Sequence, residues 1–421
     1  MQDHVQTKHQ DELLPSMRYD SEPTASYIES CRMVRFRPAA GDRYSPQQRT
    51  IRFNLQDQCW LEPGSVRLQF QLNNLSTAHP LRPIAHPLAM FTSAKLYAGG
   101  QLVENIEELG PLATILDKLK PSKRRLNDSM MSHVLTHETG NLDPREDLAA
   151  AQSRRCITEL PLGVFKSAGK MIPLHLLQGL SVELTLGDAD QAVAQGTDVS
   201  QAWDISDCSM IASCIHVNSA ISVQYHNHLA QGLDMPISFS SVVGTRHISV
   251  TNSFTLSLAR SLTHLKQLYF VMVSSAAGNR DVRDFKINVA GAGLDMAQDA
   301  FQWQVQVGSH RYPTFPVIGA AESYHRLLQA VGVANNSDDI AITPAGYVST
   351  SAVFGIDFQK LGDQAAFSGI DTRGQVLTLT VSNAWDTSGS PADNNTRTIY
   401  VYQFFDSILN IRGPSGVDIV D

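Results

Sequence analysis

AKLYAGGQLVEN, residues 94–105, sets two short runs with apolar residues at alternate positions on either side of Gly99 and Gly100, and IEELGPLATILDKL, residues 106–119, follows at once. Alternation is the pattern of half-buried strands, and paired glycines supply a tight turn because they take positive φ without a steric penalty. Ile115, Leu116 and Leu119 then recur at helical spacing. The stretch therefore predicts strand, turn, strand, helix. The same order returns at 302–332, QWQVQVGSHRYPTFPVIGAAESYHRLLQAVG, with Gly308 at the turn and Tyr324, Leu327, Leu328 and Val331 on the helix.

A second landmark tests the duplication. Gly99 and Gly308 are 209 positions apart, whereas GLSVELTLGDA, from Gly179, and GQVLTLTVSNA, from Gly374, are 195 apart. The order of the landmarks is kept, and the difference assigns 14 extra residues to the first copy, placed in KPSKRRLNDSMMSHVLTHETGNLDPREDLAAAQ (120–152), which reads as a charged loop. SMIASCIHV near 210 and TIYVYQFF near 400 make a third match in the same order. The period is far too long for a solenoid or a propeller blade.

Between the landmarks the text is of strands. QQRTIRFNLQDQCWL puts Ile51, Phe53 and Leu55 two apart, and SVRLQFQLNNL does the same with Val66, Leu68, Phe70 and Leu72. The second half continues with DMPISFSSVV, LKQLYFVMVSS and TIYVYQFFDSILNI. Helical spacing is confined to 106–119 and 319–332, so the expectation is an all-β chain with one short helix per half. At 421 residues, 43% of them hydrophobic, the chain is long enough for two β domains.

Composition also narrows function. A formal charge of −8 excludes a surface that is basic throughout, so any nucleic-acid contact must be local. Cys31, Cys59, Cys156, Cys208 and Cys214 are odd in number and contain no C-x-x-C pair, which predicts reduced thiols rather than a disulfide framework or a zinc site. The first residues lack the apolar core of a signal peptide, and no uncharged run approaches the ~20 residues of a membrane span, so a soluble chain made inside the cell is expected. On that expectation the sequons at Asn74, Asn127, Asn335 and Asn394 are chance matches.

The chemical motifs fail on spacing. GVFKSAGKM (163–171) has five residues between Gly163 and Gly169 where a phosphate loop has four, and Met171 stands where a hydroxyl is needed. HVLTHE places His133 and His137 one helical turn apart with Glu138 adjacent, yet it is not H-E-x-x-H and falls in the extra segment. HNH at 226–228 raises the alternative of a bicupin-type metal enzyme, but the next acid is Asp234 and the first half has no counterpart. Neither catalytic residue nor metal ligand nor cofactor is expected. A β-sandwich that binds glycans is the other alternative; Trp60, Trp203, Trp303 and Trp385 are too scattered for a sugar platform. KLKPSKRR concentrates Lys118, Lys120, Lys123, Arg124 and Arg125, a cationic group suited to an acidic neighbour or to DNA phosphates. Arg32, Arg35 and Arg37, interleaved with Met33 and Phe36, look like one face of an early strand.

MVRFRPAAGDRYSPQQRTIRFNLQDQCWLEPGSVRLQFQLNN, KLYAGGQLVENIEEL and LPLGVFKSAGKMIPLHLLQGLSVELTL resemble the first jelly roll of double jelly-roll major capsid proteins. ARSLTHLKQLYFVMV, VQVGSHRYPTFPVIGAAESYHRLLQAVG, FSGIDTRGQVLTLTVSNA and YQFFDSILNIRGPSGVDIVD are similar to segments of their second roll, most of all in polinton-like viruses and relatives of the large eukaryotic DNA viruses. The resemblance implies two tandem eight-stranded rolls at 29–218 and 219–412 and a tail at 413–421, while residues 1–28, polar and without periodicity, read as a flexible N-terminal arm. It further implies a homotrimeric, pseudo-hexagonal capsomer in an icosahedral double-stranded DNA virion, with neighbouring capsomers, penton and minor capsid proteins and packaged DNA as partners. Such a chain works by shape, with no enzymatic activity.

Overall fold

Ile51, Phe53 and Leu55 are fully buried while Arg52 and Asn54 between them are exposed, the alternation expected of a strand lying on a core. The chain is seen here in a computed structural model, which describes residues 27–83, 86–132, 147–167, 170–177, 179–188, 192–193, 198–274, 285, 301–334, 340–349, 351–359, 369–385, 396–412 and 416–420. Most of the predicted arm and the His133, His137, Glu138 group lie outside the described residues.

The first half runs β1 (Ile28–Phe36), β2 (Arg43–Tyr44), β3 (Thr50–Leu55), β4 (Trp60–Leu61), β5 (Arg67–Asn74), β6 (Phe91–Ala98), β7 (Gln101–Glu107), α1 (Leu109–Lys118), α2 (Ser122–Ser132), β8 (Ser153–Thr158), α3 (Gly163–Lys166), β9 (Ile172–Pro173), β10 (Leu180–Leu186) and β11 (Trp203–Val217). Helix α4 (Ser219–Ala230) leads into β12 (Met235–Ser249), β13 (Phe254–Leu258), β14 (Leu265–Ser274), β15 (Gln302–Val307), β16 (His310–Ile318), α5 (Gly319–Val331), α6 (Pro344–Ser349), β17 (Val353–Asp357), β18 (Leu377–Ser382), β19 (Arg397–Arg412) and β20 (Gly416–Val420).

These strands form two jelly rolls of the same topology. In the first, β1-β11-β5-β8 faces β3-β10-β6-β7; in the second, β12-β19-β14-β17 faces β13-β18-β15-β16. Each set is in the same order when its eight main strands are counted along the chain, and the pairing is antiparallel throughout. One accessory strand in each roll takes a comparable place, while β2 and β9 of the first have no counterpart among the described residues of the second. Short β4 extends the β5 side of β11, and β20 extends the β14 side of β19. The stretch 413–421, expected to be a tail, thus contains a strand of the second roll.

The helix predicted in each half follows the same hairpin in both copies, as α1 after β6–β7 and as α5 after β15–β16. Gly99 and Gly308 sit at the two turns with φ of 56° and 57°. Register corrects the second landmark. Leu180 pairs with Ala98 and Leu377 with Val307, so β10 and β18 are offset by 197 positions rather than 195. The partner of the Gly99 amide is the Gly179 carbonyl, 3.0 Å away, and that of Gly308 is the Val376 carbonyl at 3.2 Å, which makes Val376 and not Gly374 the counterpart of Gly179. A slip of two keeps every side chain on its own face, so alternation alone cannot detect it.

The one-helix-per-half expectation is also corrected. α2 occupies part of the segment assigned to a charged loop, and α4 joins the rolls. Ion pairs from Arg125 to Asp117 at 2.7 Å and from Lys120 to Asp128 at 2.8 Å secure α2 against the end of α1. α4 starts on an Asn218 cap whose side chain accepts from the Ala220 amide at 2.9 Å, and its only buried residue is Leu229.

Each core lies between its own pair of sheets. In the second roll Phe270 stacks on Phe354 at 4.8 Å between ring centroids and meets Trp303 edge-on at 5.4 Å. Trp303 is buried, and its indole N–H donates to Ser323 Oγ at 3.0 Å, tying α5 to the sheet beneath it. One cluster of buried apolar residues runs through both rolls. Among the described residues no helix is long and apolar enough to cross a membrane.

Candidate assembly surfaces and the seam between the rolls

The features that bear on function lie where the rolls meet each other and on their outer surfaces. The first roll brings β7, α1 and α3 to the seam, and the second brings β12, the middle of β19 and the segment before β17. Two glycines let the backbones approach. A Cβ on Gly163 would lie 2.0 Å from the Ser240 carbonyl oxygen, and one on Gly244 would lie 2.5 Å from that of Glu107. No side chain fits at either place. Gly163, which at sequence level suggested only a failed phosphate loop, is a point of close packing.

Beside it lies Glu104 of β7, a buried carboxyl group that accepts from the amides of Gly163 at 2.9 Å and Val164 at 3.0 Å and from Ser241 Oγ of the second roll at 2.9 Å. Burial pushes its pKa up to about 7, outweighing the three hydrogen bonds, which pull it down. Buried Tyr402 of β19 donates through its hydroxyl to the Glu108 carbonyl at 2.7 Å. Lys118 reaches across to Ser351 Oγ at 2.8 Å and lies 5.6 Å from the ring centroid of Phe285, while its neighbour Lys120 accepts through its carbonyl from the Ala341 amide at 2.9 Å. Every polar partner named is in hydrogen-bonding range, so the seam is specific as well as apolar.

The five cations singled out in the sequence are thereby divided. Lys118 is buried in the seam, Lys120 and Arg125 are held in the ion pairs of α2, and only Lys123 and Arg124 of the group are exposed, Arg124 lying 3.9 Å from Asp128 one turn on. Helical packing sorts residues that are adjacent in the sequence onto opposite sides. Arg32 and Arg35 of β1 are exposed, as is Arg37 just beyond it, but so is Met33, at 74%; only Phe36 turns inward.

The outer surface offers open edges. Every residue of β1 from Ile28 to Arg35 is exposed or half-buried, and among the described residues the strand pairs only with β11. An uncovered edge strand invites pairing with another chain. Phe315 of β16, Ile248 of β12 and Val250 just after it are 60%, 61% and 68% exposed. Exposed apolar residues of this kind mark candidate contact surfaces.

Enzyme-like constellations are less well made. His226 and His228 lie on exposed faces of α4, where His226 Nδ1 donates to the Ser222 carbonyl at 2.8 Å. Among the described residues the one group with metal-ligand spacing is Asp57, Cys59 and Cys214, whose ligand atoms lie within 4.8 Å of one another. Burial pushes both thiols up in pKa, so they hold their protons at neutral pH, as packed core residues do. Cys31 is the exposed thiol of the five, and all five are free. Asn74, the first sequon, is buried and donates to three backbone carbonyls.

Glu104 was missed in the sequence because its partner Ser241 stands 137 positions away. A lone acid in phase with Ile106 on a strand was the available signal.

No protein-family model matches the sequence, and no curated protein matches it. Solved structures do. The chain is similar to the capsid protein in the quasi-atomic model of the PBCV-1 virus capsid, with a TM-score of 0.66, 12% identity and coverage of 94% of this chain and 98% of that one. The Faustovirus major capsid protein gives 0.63 at 10% identity, over 95% of this chain and 93% of its own. The mavirus major capsid protein gives 0.53 at 11% identity, over 100% and 96%. The fold of this chain is the double jelly roll of viral major capsid proteins. At these identities the arrangement of strands is what is shared.

Proposed function

We propose that the chain is a major capsid protein of an icosahedral double-stranded DNA virus, built into the virion as a homotrimer. The observation that carries this reading is the repetition of one strand order in two rolls fixed to each other by a specific seam. Three such chains present six similar rolls around a threefold axis, a nearly hexagonal tile that packs against copies of itself, and closed symmetry turns one set of contacts into a shell. The fold likeness, which spans both rolls, supports the same reading. Neighbouring capsomers are the first partners; penton and minor capsid proteins would complete the shell. Of the basic group, Lys123 and Arg124, exposed at α2, would make the contact to an acidic neighbour or packaged DNA. The role needs neither catalysis nor a cofactor.

Light scattering on the purified protein tests the assembly. A homotrimer has a mass of about 139 kDa, three times the 46.2 kDa of the chain. Obligate subunit contacts are broad, so dilution should not release a folded monomer. A stable species of one chain's mass at all concentrations contradicts the proposal.

A further inference from the structure

A groove of about 550 Å³ opens where the two rolls and α4 meet. Its walls come from the start of β1, from β4, β9 and the end of β11, and from α4 and the start of β12. Trp60 and Tyr225, in tilted contact at 4.9 Å between ring centroids, form part of its lining with Ile215 and Ile237. Ile28 and Met171, also in the lining, are 51% and 39% exposed. An apolar groove of this size is not expected to stand open to water.

What lies nearest is the beginning of the chain itself. Ile28 is part of the wall, and Tyr27 before it is pinned there, its carbonyl accepting from the Asn218 amide at 2.8 Å. The described chain therefore begins beside the groove, with 26 residues before it in the sequence. Within them the apolar residues gather at Leu13, Leu14, Pro15 and Met17 in an otherwise polar stretch. The ten residues between Met17 and Ile28 can span up to ~35 Å, enough for the cluster to turn back over its own attachment point. So short a tether holds the cluster at an effective concentration of the order of millimolar, so even weak contacts keep it bound. Pro15 biases Leu14 toward an extended backbone, the form that lies along a groove.

We propose that Leu13–Met17 of the chain's own N-terminal segment fills this groove and latches the two rolls and the linking helix together. The inference does not depend on the capsid reading; it concerns a single chain.

Trp60 reports the occupant directly. Trp203, Trp303 and Trp385 are almost wholly buried in the cores, so collisional quenching of tryptophan fluorescence by iodide should come mainly from Trp60, and Trp60→Phe removes that share. Three proteins are compared: the full chain, the full chain with Leu13→Ser, Leu14→Ser and Met17→Ser, and the chain lacking residues 1–26. The latch predicts a several-fold rise in Trp60 quenching in both altered proteins, and its reversal on adding a peptide of residues 8–22. The triple substitution leaves every described residue intact, so it stays informative if the truncated chain does not fold. Equal Trp60 quenching in the full chain and the triple variant overturns the proposal, as does a peptide that binds neither altered protein.

Discussion

Glu104 should give the seam a pH dependence whose size follows from its surroundings. In the folded chain its carboxyl group titrates near 7, against an ordinary value of 4.5, with burial as the cause. The fold therefore favours the protonated form. In the unfolded chain the proton leaves around pH 4.5, so between there and about pH 7 the unfolded state gains a charge that the folded state resists, and stability falls as pH rises. Integrated from pH 5 to pH 8, the loss is about 2.5 kcal/mol at ~1.4 kcal/mol for each tenfold difference in proton affinity, and little changes beyond pH 8. Glu104→Gln removes the titration. It also leaves one of the amides of Gly163 and Val164 without a good acceptor, a loss of about 1–3 kcal/mol that does not vary with pH. Urea unfolding at fixed protein concentration, followed by tryptophan fluorescence at pH 5, 6, 7 and 8, measures both effects. The stability of the natural chain relative to the variant should decrease by about 2.5 kcal/mol across that range. Curves for the two proteins that run parallel from pH 5 to pH 8 would refute the electrostatic account of the seam.

Gly163→Ala forces a carbon to within 2.0 Å of the Ser240 carbonyl and should destabilise the chain by about 3 kcal/mol or more, whereas Gly64→Ala, with nothing within 4 Å of the new carbon, should stay within about 0.5 kcal/mol in the same urea assay. Leu184→Ala opens a cavity in the first roll at the position that pairs with Ile51 and Ala94, and should lower the unfolding free energy by about 2–5 kcal/mol. Lys123→Ala with Arg124→Ala should change thermal stability little, while Arg125→Ala, which strands the largely buried Asp117 carboxylate, should lose about 1–3 kcal/mol; equal effects would mean that the ion pair does not hold α2.

The hairpin and helix repeated at Gly99 and Gly308 were legible because each unit is local. Alternation, a glycine turn and helical spacing all fall within thirty-one residues at 302–332. Strands β3 and β5 were legible for the same reason, their apolar residues standing two apart. What depends on distant partners was not. α4 shows no apolar stripe because only Leu229 is buried, and α2 rests on ion pairs rather than on a hydrophobic face. β20 is a strand because β19 runs on past β14 and leaves an edge for Gly416–Val420 to pair, a feature written elsewhere in the chain. The same holds for the basic group, which reads as one patch in sequence until the packing of α1 and α2 turns Lys118 and Arg125 inward.

Electron microscopy of the purified, unfixed protein tests the central claim most directly, because it shows the outline that two equivalent rolls per chain are proposed to produce. The account predicts particles with threefold symmetry, a nearly hexagonal outline and six lobes of similar density, packing edge to edge where they touch. Two-lobed single chains, or oligomers of any other symmetry, would contradict it.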